Sequence, residues 1–301
     1  MTEQRRCGFV AIVGAPNAGK STLVNRLVGS KVSIVSPKVQ TTRTRVLGIA
    51  IIAQEGAQAI FIDTPGIFKP KQRLERAMVR AAWSGATDAD MVALVVDARK
   101  GLDAEVEDIV GRLKGAGRRA VLVLNKIDLV KREQLLGLAQ ALHQTGIFDD
   151  VFMVSAEKGD GTEDFLTYCG RTLPEGPWHF PEDQLSDMPQ RMLAAEITRE
   201  QLFNRLHQEL PYAALVESDR WEERDDGSCR IDQTIYVRRD SQKGIVLGKG
   251  GAQIKAIGAA ARQELERLLE RPVHLFLFVK VREDWPDDRQ RYADLGLDYD
   301  V

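Results

Sequence analysis

One stretch limits the fold of this chain more than any other. Residues 9–29 read FVAIVGAPNAGKSTLVNRLVG: a run of β-type apolar residues ends at a glycine, and a short loop leads into Lys20 and Ser21. The pattern G-x-x-x-x-G-K-S from Gly14 to Ser21 needs a strand before it and a helix after it. Its turn then points successive backbone N–H groups at one anion, and the helix N-terminus adds its dipole. Gly14, Ala15, Pro16, Asn17, Ala18, Gly19, Lys20, Ser21 and Thr22 are therefore the expected phosphate cradle. The Lys20 cation reaches the outer phosphates, and the Ser21 hydroxyl is a hard oxygen ligand for Mg²⁺.

The strand leading into that loop is apolar throughout, as is a strand covered on both faces. Similar runs recur at 46–52, 59–63, 91–97, 120–125 and 151–155, with helical patterns at 71–86, 103–115 and 132–145 between them. Alternation of this kind implies an α/β domain with a doubly wound, mostly parallel sheet. Ligands of such sheets sit beyond the C-terminal strand ends.

The strand ends carry the remaining chemistry. At 120–125 the run closes with Asn125, Lys126, Ile127 and Asp128. A carboxylate at Asp128 accepts from guanine N1–H and the exocyclic amine together, whereas adenine offers neither donor. The difference favours guanine by roughly two to four decades. Ser155, Ala156 and Glu157 end the next run, and the Ala156 N–H suits a purine O6. Asp63, Thr64, Pro65 and Gly66 end another: Asp63 is expected to hold Mg²⁺ through water and the Gly66 N–H to face a γ-phosphate. The loop 31–45 contains QTTRTR, with Thr42 favoured over Thr41 as the second Mg²⁺ ligand. Lys20, Thr42 and Gly66 are thus the expected catalytic set, and Ser21, Thr42 and Asp63 the metal set. Ile67 follows the turn at 63–66, and an alkyl side chain there cannot orient an attacking water by hydrogen bonding, so slow hydrolysis is expected.

Residues 176–190 are rich in proline and acid and read as a linker. Beyond them the pattern changes to a helix over 190–210 stopped by Pro211, extended runs at 212–221 and 230–239, a short helix, GKGG, a helix at 252–270 and a strand at 273–282. This is a second, smaller α+β domain, 191–282, after a first of 1–175. Residues 238–282 carry a net charge of +6 and 283–301 one of −5, although the whole chain is only −2. A basic block beside acidic ones fits a polyanion site. In GKGG, small residues let a nucleic-acid backbone approach the turn. Ile245, Gly248, Lys249, Gly250, Gly251 and Lys255 are the expected nucleic-acid contacts, and Ile245, Val246, Ile254 and Ile257 are expected to line the adjoining apolar groove. The acidic tail 283–301 is either a disordered solvated segment or docks on the second domain; its apolar anchors Trp285, Tyr292, Leu295 and Leu297 favour docking.

Composition narrows the setting. Three cysteines far apart, Cys7, Cys169 and Cys229, argue against a disulfide framework, and four scattered histidines give no zinc spacing. No apolar run approaches the roughly 18–20 residues of a membrane span. A cytoplasmic protein is expected.

The five nucleotide elements together resemble the G domain of translation-type GTPases, over about 170 residues. The helix–strand–strand–helix–GxxG–helix–strand order resembles a KH domain of the prokaryotic type. One such G domain followed by one KH domain resembles the Era family of bacterial GTPases along essentially the whole chain. That resemblance implies GTP, GDP and Mg²⁺ as ligands, 16S ribosomal RNA near its 3′ end and the 30S subunit as partners, and a monomer that does not bind DNA. It also implies peripheral association with the inner membrane. Asn17 and Ile67 together resemble relatives that use K⁺ as a trans-acting charge. The rival reading is a membrane-recruited signalling GTPase whose KH domain has another nucleic-acid target or none.

Overall fold

The computed structural model describes residues 5–38, 41–206, 210 and 214–301. The chain divides into two compact units. The first takes in Thr42–Asp187 with the described parts of Met1–Ser33 and Leu295–Val301; the second takes in Met188–Asp294 with the described parts of Ile34–Thr41.

In the first unit the strands are β1 (Arg6–Val13), β2 (Val46–Ile52), β3 (Ala57–Asp63), β4 (Met91–Asp97), β5 (Ala120–Asn125) and β6 (Phe148–Val154). They lie in the order β2-β3-β1-β4-β5-β6, with only β2 antiparallel to its neighbour. Five helices intervene: α1 (Lys20–Val28), α2 (Arg73–Asp88), α3 (Ala104–Gly115), α4 (Arg132–His143) and α5 (Thr162–Thr172). Because side chains alternate along a strand, each strand feeds two cores. Val10, Ile12, Phe61, Val95 and Val123 pack with Leu23, Val24 and Leu27 of α1 and Phe165 of α5. Ala11, Val13, Ile62, Leu94 and Leu124 pack with Ala82 of α2 and Ile109 and Leu113 of α3. This double burial explains why the strands are apolar without alternation.

In the second unit, α6 (Gln190–Arg205), β7 (Leu215–Glu223), β8 (Cys229–Val237), α7 (Asp240–Leu247), α8 (Ala252–Leu269), β9 (Val273–Val281) and α9 (Arg289–Asp294) follow in order. The sheet runs β7-β8-β9, antiparallel then parallel. Leu202, Ile235, Val237, Val246, Ile257 and Val279 fill its main core. Helix α6 is shorter than its sequence implies: Leu206 is extended, at ψ 154, and its N–H closes the last turn on Leu202. Pro211, the expected stop, lies outside the described residues.

The tail corrects one expectation. Trp285 and Tyr292 are buried, each 2% exposed, in the second unit. Leu297 is buried as well, but Leu295–Val301 belongs to the first unit, where its partners are arginines of α2. Those basic partners suit an acidic segment better than an apolar docking face does. Among the described residues no helix is long and apolar enough to cross a membrane, and the three cysteines are free and buried.

Candidate functional site: a phosphate loop with three converging strand ends, and a GxxG turn

The loop between β1 and α1 is held from outside by its neighbours. Lys20 is buried, and its Nζ donates to the carbonyl oxygens of Gly14 at 3.1 Å and Ala15 at 3.0 Å. Burial pushes its pKa down to about 8, opposed by the nearby Asp63 carboxylate. Gly19 sits at φ +93 against Asn125; a Cβ there would lie 2.2 Å from Asn125 Nδ2, so only glycine lets the two loops approach. The Ile67 N–H donates to Gly14 O at 3.0 Å and ties the turn after β3 to the phosphate loop. Thr64 donates to Ile12 O at 2.8 Å from a buried position, and Pro65 and Gly66 complete that turn.

Three hydroxyls converge on one carboxylate. Asp63 Oδ2 accepts from Ser21 at 2.7 Å, Ser33 at 2.6 Å and Thr42 at 3.4 Å, and the Ser21 and Thr42 oxygens are 2.9 Å apart. Asp63 is fully buried, and its Oδ1 has no hydrogen-bond partner among the described residues. Burial raises its pKa, while these hydroxyls and Lys20 oppose the rise. Such an all-oxygen set with an unpartnered carboxylate oxygen fits a hard divalent cation. The Thr41 hydroxyl is engaged elsewhere, with Ser36 at 2.6 Å and Lys38 O at 2.8 Å, so Thr42 is the threonine that reaches Asp63.

The strand end of β5 links the other loops. Asn125 donates to Ala18 O at 2.9 Å and accepts from the N–H groups of Ala156 at 3.0 Å and Lys126 at 2.8 Å. Lys126, in the left-handed region at φ +66, reaches Asn17 O at 2.5 Å and Asp97 at 2.6 Å. Asp128 lies nearby with Oδ1 unpartnered among the described residues and Oδ2 3.7 Å from Lys158 Nζ. A hydrogen bond from Ser155 holds its carboxyl below the ordinary value. Ser155 itself is fully buried. An ionised, partly shielded carboxylate with a vacant acceptor suits a ligand offering two adjacent N–H donors.

Sequence reasoning missed four residues that position this site. Asp97, ending β4, receives Lys126 and Arg99; burial would raise its pKa, but these partners bring it down to about 2. Ser33 is the third hydroxyl on Asp63. Asn25 accepts the Val32 and Ser33 N–H groups at 2.9 Å each. Arg26 of α1 donates to Ala156 O at 3.2 Å. Only Asp97 gave a signal, as a polar residue at a C-terminal strand end.

In the second unit, Gly248, Gly250 and Gly251 between α7 and α8 have φ of +71, +60 and +78, values that side chains rarely adopt. Lys249 and Lys255 are exposed, and Ile245 is 56% exposed. A groove of about 370 Å³ lies between α8 and β9, with Ile254, Lys255, Arg262, Leu275 and Phe276 among its walls; the GKGG residues and Ile245 do not line it. Val246 and Ile257 do not line it: both are fully buried in the core. Each lies on the inward stripe of its own helix, which the apolar pattern alone did not separate from the outer one.

Fold and site together define a P-loop GTPase that carries a KH-type domain. The family model described as a 50S ribosome-binding GTPase matches residues 9–126, and the KH domain model matches 209–286. The chain is 62% identical to the GTPase Era of Rhizobium meliloti over 294 residues, covering 98% of this chain and 93% of the relative. It is 58% identical to that of Mesorhizobium japonicum over 298 residues, 99% and 96% of the two chains. Among solved structures, a variant of Aquifex aeolicus Era bound to GDP·AlF4⁻ superposes with a TM-score of 0.91 at 40% identity, covering 98% of this chain and all of that one. Era in complex with MgGDPNP and nucleotides 1506–1542 of 16S ribosomal RNA gives 0.92 at 39% identity, covering 99% and 100%. The chain belongs to the Era family of GTPases.

Proposed function

We propose that this chain is a GTP-driven RNA-binding factor that engages the small-subunit ribosomal RNA near its 3′ end and assists assembly of the 30S subunit. The observation that carries this reading is the likeness, over 99% of the chain, to an Era structure holding both MgGDPNP and that RNA segment. The functional boundaries we assign are a G domain at 1–175, a linker at 176–190, a KH domain at 191–282 and a tail at 283–301.

In this reading residues 14–22 cradle the phosphates, and Lys20 neutralises the outer ones. Ser21 and Thr42 supply hydroxyl ligands for Mg²⁺, Asp63 holds it through water, and the Gly66 N–H serves the γ-phosphate. The metal would supply charge neutralisation of the transferred phosphoryl group. Asp128 reads guanine, and the Ala156 N–H, which donates to Asn125 Oδ1 at 3.0 Å in this structure, would be shared with the guanine O6, while Asn125, Lys126 and Ser155 hold these loops in place. Ile67 is 2% exposed and orients no water, which leaves intrinsic hydrolysis slow. Gly248, Lys249, Gly250 and Gly251, with Ile245 and Lys255, take a short single strand. The protein acts as a cytoplasmic monomer. Peripheral inner-membrane association rests on the family resemblance alone and is tested by flotation with anionic vesicles.

Binding assays with the RNA 3′ segment test the reading. The wild type binds it, and Gly250→Asp, which puts a carboxylate and a strained backbone into the turn, abolishes binding while GTP affinity stays the same. Equal RNA binding by both proteins would refute the KH-site assignment.

A further inference from the structure

Helix α2 carries Arg73, Arg76 and Arg80 at spacings of three and four, which places them along one face. Within the first unit, all three are engaged by the last four residues. Arg73 donates to the Tyr299 phenol oxygen, and its guanidinium carbon lies 4.5 Å from the Tyr299 ring centroid. Arg80 is 3.0 Å from the Asp298 carboxylate and donates to Asp300 O at 3.2 Å. Arg76 Nε donates to Val301 O at 3.4 Å. Gly296, at φ +64, turns the chain there, and the buried Leu297 anchors it.

The chemistry of this contact is that of a nucleotide. A planar ring stacks on the Arg73 guanidinium, and oxygens, a carboxylate among them, meet the Arg76 and Arg80 guanidiniums one and two turns along the helix. Single-stranded nucleic acid offers the same set: a base face and phosphate oxygens. The strap is also weakly held. The Arg80 and Asp298 side chains are 61% and 49% exposed, and exposed pairs of this kind are readily exchanged. A phosphate presents charged oxygens to the arginine fork, where the strap presents the Asp298 carboxylate and the main-chain oxygens of Asp300 and Val301.

We propose that the arginine row of α2 is a second contact surface for single-stranded RNA, and that residues 298–301 cover it as an intramolecular stand-in for a nucleotide. The choice of RNA as ligand rests on the function proposed above; the covered arginine row does not. The surface lies in the first unit and is separate from the GxxG turn.

The test is anisotropy of a short labelled oligouridylate at one fixed salt concentration, repeated across a salt series, using full-length proteins in a Gly250→Asp background. Adding Asp298→Asn with Tyr299→Ala should tighten binding about tenfold, a coupling typical of linked sites. Adding Arg73→Ala with Arg80→Ala should remove that gain and flatten the salt dependence by about 0.7 for each phosphate that is no longer neutralised. Tyr299→Phe with Asp298 intact keeps the ring and should leave most of the cover in place. Unchanged GTP affinity and melting temperature in each variant confirm folding. No tightening on opening the strap, or a gain that survives loss of the arginines, overturns the proposal. So does oligoglutamate binding to the opened face when oligouridylate does not. If the protein with intact GKGG also binds no RNA, the proposed function fails as well; if it binds RNA while the strap variants change nothing, only this inference fails.

Discussion

Asn125 Nδ2 donates to the carbonyl oxygen of Ala18 across 2.9 Å, joining the end of β5 to the phosphate loop. The other end of the same carboxamide takes the N–H groups of Ala156 and Lys126. One buried side chain therefore sets the spacing between the loop for phosphate and the loops for base. Asn125→Ala leaves a carbonyl and two N–H groups to find other partners. It should cost about 2–4 kcal/mol, shared between fold stability and nucleotide affinity. Denaturant unfolding and GDP titration measure the two shares; an effect below about 0.5 kcal/mol in both would deny the clasp its role.

Asp128 offers a carboxylate oxygen that is unpartnered among the described residues. Replacing it by an amide, Asp128→Asn, should weaken GTP and favour xanthine nucleotides, because the amide donates to the xanthine C2 carbonyl. Competition between GTP, XTP and ATP checks this. A wild type that takes ATP as readily as GTP would be incompatible with guanine selection here.

Lys20 gives a pH dependence of definite sign. Its folded pKa of about 8 lies below the ordinary 10.5. Between those values the unfolded chain binds the extra proton, so Lys20 contributes stability that rises with pH through that window, against the opposite contribution of the Cys7, Cys169 and Cys229 thiols, whose pKa burial raises. Phosphate needs the charged amine, so nucleotide binding above pH 8 takes up a proton and weakens with rising pH. Calorimetry in buffers of different ionisation enthalpy reads the uptake directly. In Lys20→Met the uptake should vanish and the stability slope should lose the Lys20 share; an uptake and slope equal to those of the wild type would assign them elsewhere.

Asp97 anchors Lys126, and its folded pKa of about 2 lies below the usual 3.8. Its contribution is complete above pH 4 and is lost as pH falls through 2. Asp97→Asn should destabilise the fold by about 1–3 kcal/mol and loosen the Lys126 contact with Asn17, raising the dissociation constant for GDP. A stable variant with unchanged affinity would show that Lys126 needs no anchor.

Asn17 stands at φ +62 in the phosphate loop, and Ile67 is buried behind it. Hydrolysis is expected to run faster in K⁺ than in Na⁺, and equal steady-state rates in the two salts would dismiss a monovalent cofactor.

How much of this was legible beforehand follows from how local each signal is. Strands β2, β4 and β5 matched their apolar runs residue for residue, because double burial leaves no polar position inside them. Motif residues at strand ends were legible because their chemistry requires fixed neighbours: Gly14 to Ser21, Asp63, and Asn125 to Asp128. Ser33, Asn25 and Arg26 were not legible, since each acts through a partner fixed only by the folded loops. Arg26, for example, reaches Ala156 across 130 residues. The split of α7 into an exposed Ile245 and a buried Val246, and of α8 into a half-buried Ile254 and a buried Ile257, depends on helix phase, which a short apolar run does not report. Nor does an acidic tail reveal which basic face will hold it.

A GTP-driven RNA-binding factor, as proposed here, requires that its nucleotide site and its RNA site bias each other. The most direct measurement is the dissociation constant of the small-subunit RNA 3′ segment with a non-hydrolysable GTP analogue and with GDP, at one salt concentration. The account predicts tighter RNA binding in the GTP-analogue state, by roughly 5–150-fold, and an equal RNA-induced gain in affinity for the analogue. The same RNA affinity in both nucleotide states would contradict it.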